Sequence, residues 1–197
     1  MKYHTAKVVG HPRSGSHYLA HILNINFFHR ENHLALYAGH SKAHKIHLRS
    51  PGVAVFYTYR NNYDTICSMY KIRDRLGLKA NSLEEFIQSK LSDMNDDNIT
   101  SNAILNINGN KKVVTDVDHY MGEHDLTPEE YLLKHKAFWL QISADNYMPI
   151  FYDLLIADFK GTMLNIAKFL GSDKTVFINE TSRVGWYDSK DEVKVFT

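Results

Sequence analysis

Two short clusters of polar residues hold the chemistry that this chain offers. The first lies in VVGHPRSGSHYLAHIL, residues 8–23, which passes from a β-branched pair into a turn containing Pro12, Arg13, Ser14, Gly15 and Ser16 and then into helical periodicity. A loop from the carboxyl end of a strand to the amino end of a helix aims several unpaired backbone N–H groups at one point, and the helix dipole reinforces them. Such a turn suits an anion, and phosphate is the usual guest. Gly10 and Gly15 have the spacing of the nucleotide-triphosphatase loop G-x-x-x-x-G-K-[ST] with Ser16 directly after, but the lysine is missing and a cation, Arg13, sits inside the loop instead. The second cluster lies in VFYTYRNNYDTICSMY, residues 55–70. Arg60 ends an apolar run there and Ser68 follows on a candidate helix, so a guanidinium fork and a hydroxyl are available to one phosphate.

The elements that must position these clusters follow from hydrophobic pattern. Residues 5–10 predict a short buried strand broken at Gly10 and Pro12, and Tyr18, Leu19, Ile22 and Leu23 predict a helix from Ser16 with one buried face. VAVFYTY (53–59) predicts a central parallel strand, followed by a helix over 61–76, and YMPIFY (147–152) predicts a third strand. Phe159, Met163, Ile166, Ala167 and Leu170 then predict a helix that stops at Gly171. Three strands each followed by a helix predict an α/β fold, three-layered, with a central parallel sheet flanked by helices. Between them, Ser82 with Glu85 three residues on predicts a capping box, and Thr127 with Pro128 predicts the start of a long amphipathic helix. NDDNITSNAILNINGNKK (95–112) reads as a polar, turn-rich loop, although KKVVTDVD (111–118) has the pattern of a strand ending in Asp116.

The totals exclude several classes. The 197 residues suit a single domain, 1–197, and 23 basic against 22 acidic side chains provide no overall field for nucleic acid. One cysteine, Cys67, excludes an internal disulfide and reads as a packed small hydrophobe. No stretch has the length of a signal peptide or of a membrane span, so the expectation is a soluble, cytoplasmic protein. His17 and His21, and the group His40, His44 and His47, have spacings seen among metal ligands. No H-E-x-x-H pattern or cysteine pair accompanies them, so no metal site is expected.

The two clusters together resemble the sulfotransferases that use 3′-phosphoadenosine-5′-phosphosulfate (PAPS). Their first loop reads aromatic-Pro-Lys/Arg-Ser-Gly-Thr/Ser-x-Trp, and the chain has His11, Pro12, Arg13, Ser14, Gly15, Ser16, His17 and Tyr18. The resemblance implies that Arg13, Ser14, Gly15, Ser16 and His17 surround the 5′-phosphosulfate, with Tyr18 where an aromatic packs on adenine. The family's 3′-phosphate pattern, Arg-Asn-Pro-x-Asp-x-x-x-Ser, is matched by Arg60, Asn61, Asp64 and Ser68, with Asn62 in place of proline. KIHL (45–48) is similar to the family's Lys-x-His-Leu segment at the end of a strand, which implies His47 as the base that takes the acceptor's proton, a task suited to imidazole. Glu31 or Asp116 would stand in if the base is a carboxylate. FYDLLIADFKGTMLNIAKFLG (151–171) is similar to a structural segment of the family, and SRVGWY (182–187) resembles its loop over the 3′-phosphate, which implies Arg183 and Gly185.

The resemblance therefore implies a P-loop nucleotide-binding-like fold and sulfuryl transfer from PAPS, without a metal, to a hydroxyl or amine of a small-molecule or exposed acceptor. The acceptor wall is expected from residues 31–44 and from the middle segment 82–146. Two alternatives stay open at this point: a kinase-like phosphotransferase using a nucleoside triphosphate, with Asp116 helping to hold magnesium, and a non-catalytic nucleotide-binding protein.

Overall fold

β-branched and aromatic residues favour extended backbone, and in the computed structural model the run VAVFYTY forms one of the two inner strands of the main sheet. The structure describes residues 1–28, 34–40, 42–73, 79–90, 102–107, 110–115, 126–180 and 193–196. β1 (Thr5–Gly10) leads through the first loop into α1 (Ser16–Asn26), and β2 (Leu34–Gly39) is followed by a 3-10 helix (Lys42–Arg49). β3 (Val53–Tyr59) leads into α2 (Asn62–Tyr70), and α3 (Leu83–Gln88) comes next. β4 (Asn102–Ile107) and β5 (Asn110–Thr115) form an antiparallel pair, and α4 (Pro128–Leu140) precedes β6 (Tyr147–Phe151). α5 (Tyr152–Ala157), α6 (Phe159–Leu170), β7 (Phe177–Glu180) and β8 (Val193–Phe196) complete the order, with β7 and β8 antiparallel.

β2, β1, β3 and β6 form one sheet in that spatial order, and every pairing within it is parallel. The register sets Val9 opposite Gly39, Gly10 opposite Thr58 and Tyr59 opposite Phe151. All four strands therefore end at one edge, and the loops that follow them leave together. Alternation along the strands feeds two cores. Ala6, Val8, Ala54 and Phe56 pack with Leu19, Ile22 and Leu23 of α1 and Met163, Ile166 and Leu170 of α6. Val9, Val55 and Tyr57 face the other way, onto Trp139 of α4 with Leu48 and Phe138 beside it. The sheet is thus covered on both faces, as the strand-helix alternation predicts.

Three expectations need correction. KIHL does not end a strand: residues 42–49 form the 3-10 helix, and the strand of this region is Leu34–Gly39, which pairs with β1. Its short run LALYAG has a period that suits a strand or a buried helix equally, and only the pairing with β1 decides. The segment 95–112, read as a loop, contains β4 and the start of β5. Ile107 pairs with Asn110, so the two intervening residues are Asn108 and Gly109, the dipeptide most suited to a two-residue hairpin. The helix expected over 61–76 stops at Tyr70. Asp158, lying between α5 and α6, accepts a hydrogen bond from Gly161 N at 3.0 Å and so caps α6.

α4 starts as its sequence predicts, with Thr127 accepting from Glu130 N and Glu130 reaching back to Thr127 N, a reciprocal pair that satisfies two orphan donors. Thr127→Ala is expected to lower stability by about 1 kcal/mol. Urea unfolding should show this as a lower midpoint with an unchanged slope.

Candidate active site

Close approach of backbones forms the first loop. A Cβ on Gly10 would lie 2.4 Å from both Ser14 Oγ and Thr58 Oγ1, so only glycine fits where β1 ends. Gly15 has φ 86, and a Cβ there would sit 2.1 Å from the Tyr152 ring. Arg13 has φ 64, a left-handed backbone rarely adopted by a residue with a long side chain, and among the described residues no other non-glycine has a positive φ. The strain turns Arg13 across the loop, where its Nε donates to Ser68 Oγ of α2 at 2.9 Å. Ser14 Oγ pairs with Thr58 Oγ1 at 2.9 Å, tying the loop to β3 as well. Gly15 is the N-cap of α1 and supplies no side-chain cap, an arrangement in which an entering anion can satisfy the first-turn amides. Ser16 opens α1 and is buried, while His17 is exposed with its ring 4.1 Å from that of Tyr37.

Tyr18 faces the core. Its hydroxyl donates to Asn179 Oδ1 at 2.6 Å, its ring is edge-on to Tyr152, and burial raises its pKa. The aromatic ring bordering the loop is instead Tyr152, which packs over Gly15 and lies 5.2 Å from the Arg60 guanidinium.

Arg60 stands at the carboxyl end of β3, on the same edge as the first loop. His11 joins the two: its Nδ1–H donates to Pro12 O at 3.0 Å and its Nε2 accepts from Arg60 N at 3.2 Å. These bonds require the neutral ring with the proton on Nδ1. Complete burial lowers the His11 pKa to about 3, against the hydrogen bond to Pro12 and with the help of positive neighbours. The Arg60 side chain forms an ion pair with Asp153, Nε to Oδ1 at 3.4 Å, and Asp153 Oδ2 accepts from Asn61 N at 3.0 Å. Arg60 Nε is buried yet makes no hydrogen bond among the described residues, so a donor at this site awaits a well-placed acceptor. Lys136 of α4 donates from Nζ to Arg60 O and Asn62 Oδ1, and burial lowers its pKa while Asp153 opposes that shift.

The structure separates His47 from this edge. Asn146 Nδ2 donates to His47 O at 3.3 Å and to Val53 O at 2.9 Å, which fixes the His47 backbone at the amino ends of β3 and β6. Thr58 lies five residue steps beyond Val53, on the order of 17 Å along the sheet. Burial, then Lys7 and His44, lower the His47 pKa. His40 occupies the other end. It directly follows β2, its Nδ1–H donates to Gly10 O, and Tyr37 OH lies 2.8 Å from its Nε2. His135, buried in α4, donates from Nε2 to His40 O at 2.8 Å and pairs with Tyr57 OH through Nδ1 at 3.0 Å.

Arg13, Ser14, Gly15, Ser16, His17, Arg60 and Ser68 are thus gathered at one edge, while His47 lies towards the other. Arg183, Gly185, Glu31 and Asp116 lie outside the described residues. His40, His135, Lys136, Tyr152 and Asp153 join the site unforeseen. For His40 a signal existed, an apolar run broken by Gly39 just before it; the other four come from elements distant in sequence. Among the described residues no group of three or more His, Cys, Asp or Glu is placed to hold a metal ion.

A family model described as the sulfotransferase domain matches residues 28–184. The chain belongs to the sulfotransferase domain family. The fold agrees: the solved structure of mouse sulfotransferase SULT7A1 complexed with PAP superposes with a TM-score of 0.56 at 17% sequence identity, covering 87% of this chain. The chain spans 59% of that protein's length. The comparison with curated proteins found no match. Within this sulfotransferase domain the family model begins at residue 28, after the first loop, so the placement of Arg13 and its neighbours rests on their geometry. Among the described residues no helix is long and apolar enough to cross a membrane.

His11 gives this edge of the sheet a pH signature. Its folded pKa, about 3, lies below the ordinary 6.5, so between those values the unfolded chain binds more protons and stability rises with pH. As pH falls below 6.5 the group removes up to roughly 1.4 kcal/mol per pH unit. His11→Asn should be less stable at pH 8 and should lose this part of the slope when urea midpoints are followed down to pH 5. An unchanged slope in the variant would show that His11 is not the titrating group.

Proposed function

We propose that the protein transfers the sulfuryl group of PAPS to a hydroxyl, or an amine, of a small-molecule or exposed acceptor. The observation that carries this reading is the Arg13 Nε–Ser68 Oγ hydrogen bond, which sets the first loop against the helix that follows Arg60. A nucleoside phosphorylated at both ends needs two anion sites within its own length, and two sites on one edge meet that need. The residues fit such a ligand: glycines at 10 and 15 open the backbone, and among the described residues the α1 amino end has no side-chain cap and the buried Arg60 Nε, although ion-paired with Asp153, makes no hydrogen bond. When bound, PAPS supplies an activated sulfuryl group with adenosine 3′,5′-bisphosphate as its leaving group.

The chain's own residues then have distinct tasks. Arg13 and the amides at the start of α1 stabilise the negative charge that grows beside the loop. A guanidinium with a pKa above about 12 acts here as a fixed charge and not as a proton donor. Arg60 and Ser68 hold the 3′-phosphate, with Arg183 and Gly185 assigned to the same end by family pattern. His40 takes the acceptor's proton in preference to His47, because its Nδ1–H is committed to Gly10 O and its Nε2 carries the lone pair at the loop's edge. Tyr37 OH on that nitrogen keeps it oriented until an acceptor displaces the hydroxyl. A kinase-like reaction is disfavoured, since the loop lacks the lysine that serves the terminal phosphates of a triphosphate.

Adenosine 3′,5′-bisphosphate should raise the melting temperature more than ATP with magnesium at equal concentration, and the reverse order would overturn the donor assignment. Arg13→Ala is expected to lower kcat by about 100-fold to 1000-fold, the loss typical of a removed charge-stabilising donor. His40→Ala should cost about 100-fold or more in kcat while His47→Ala stays within about threefold. A large loss in the second variant alone would return the base to His47.

A further inference from the structure

Asn62 opens α2 where the family pattern carries proline, and the backbone before it is already set for that residue. Asn61 has φ −51 and ψ 136, the extended region that a following proline demands. Among the described residues nothing accepts a hydrogen bond from the Asn62 backbone N–H, as suits a first helical position. A proline there would hold the turn through its ring. Asparagine leaves φ free and competes with the helix through its own side chain, so the turn needs another restraint.

Lys136 provides it from a distant element. Its Nζ donates at once to Arg60 O and to Asn62 Oδ1, bridging the Asn61 N-cap from the end of β3 to the first residue of α2. The placement is costly for an ammonium group. It is half-buried, burial lowers its pKa, and it sits at the positive end of a helix dipole. Asp153 is the carboxylate that opposes this shift, and it is already paired with Arg60. Asp64, in the first turn of α2, is the second carboxylate at this helix end.

We propose that Lys136 is a positioning residue which replaces the missing proline, locking the Arg60–Asn62 turn so that the Arg60 guanidinium and the Ser68 hydroxyl converge on the nucleotide's 3′-phosphate. The clamp is specific to a chain with asparagine at position 62, and its link to the 3′-phosphate rests on the donor site proposed above. The decisive variants are Lys136→Met, which keeps the aliphatic stem, Asn62→Pro, and the two combined. Two readouts apply: backbone hydrogen–deuterium exchange over residues 60–66 without ligand, and calorimetric Kd values for adenosine 3′,5′-bisphosphate and for adenosine 5′-monophosphate. Lys136→Met should speed exchange about tenfold and raise the bisphosphate Kd about tenfold, leaving the monophosphate Kd unchanged. Adding Asn62→Pro should restore both. Lys136→Gln, with one amide donor retained, replaces the methionine variant if that fails to fold, and an intermediate effect is expected. Unchanged exchange in Lys136→Met, or a double variant as impaired as the single one, overturns the clamp. Equal affinity of the wild type for both nucleotides overturns the donor reading and the 3′-phosphate role with it, and the ligand-free exchange result separates that failure from failure of the clamp itself.

Discussion

One hydrogen bond, from Arg13 Nε to Ser68 Oγ, decides whether this edge of the sheet is one site or two. It requires a left-handed Arg13, which requires the tight path between two glycines that admit no Cβ. It also requires that Gly10 and Thr58 be neighbours in register, so that the loop after β1 and the helix after β3 start from the same level. The strain in the loop is offset by this contact and by the Ser14–Thr58 pair. Arg13, Ser14 and Ser68 take their relative placement from these constraints.

Behind the loop stand two buried histidines, His11 and His135, whose bonds are structural. His11 and His135 are each held in one tautomer by a donor on one side and an acceptor on the other, and neither faces solvent. His11 makes a poor base, because burial opposes the charge it would acquire. Both histidines make good struts: His11 ties the loop to Arg60 N, and His135 ties α4 to His40 O. His40 differs by its place at the edge, with its Nε2 facing a hydroxyl and not a backbone carbonyl.

Much of the frame was legible in the sequence. Thr5–Gly10 and Val53–Tyr59 emerged from apolar runs closed by turn residues, and Thr127, Ser82 and Gly171 marked helix ends through caps whose chemistry is local. That Arg13 to Ser16, Arg60 and Ser68 belong together was legible because their types and spacing suggest one chemistry, and the structure gathers them at one edge. The strand Leu34–Gly39 was not, since six apolar residues have no period of their own until β1 lies beside them. For the same reason a match to a short pattern pointed to His47, on a 3-10 helix, when the residue closing the strand is His40. The hairpin of β4 and β5 was hidden by polar composition, although the sequence carries the dipeptide Asn108-Gly109 between them.

The sequence by itself determined the two polar loop clusters, the α/β class and the parallel sheet, because these follow from spacing, local propensity and the two hydrophobic periods. Tertiary structure alone decided which histidine stands at the loop, that Tyr152 and not Tyr18 borders it, and that Asp153 and Lys136 flank Arg60. Those choices depend on strand register and on helices packed across more than 70 residues of chain, |i−j| being 76 for Lys136 and Arg60, and no short-range pattern encodes contacts of that separation.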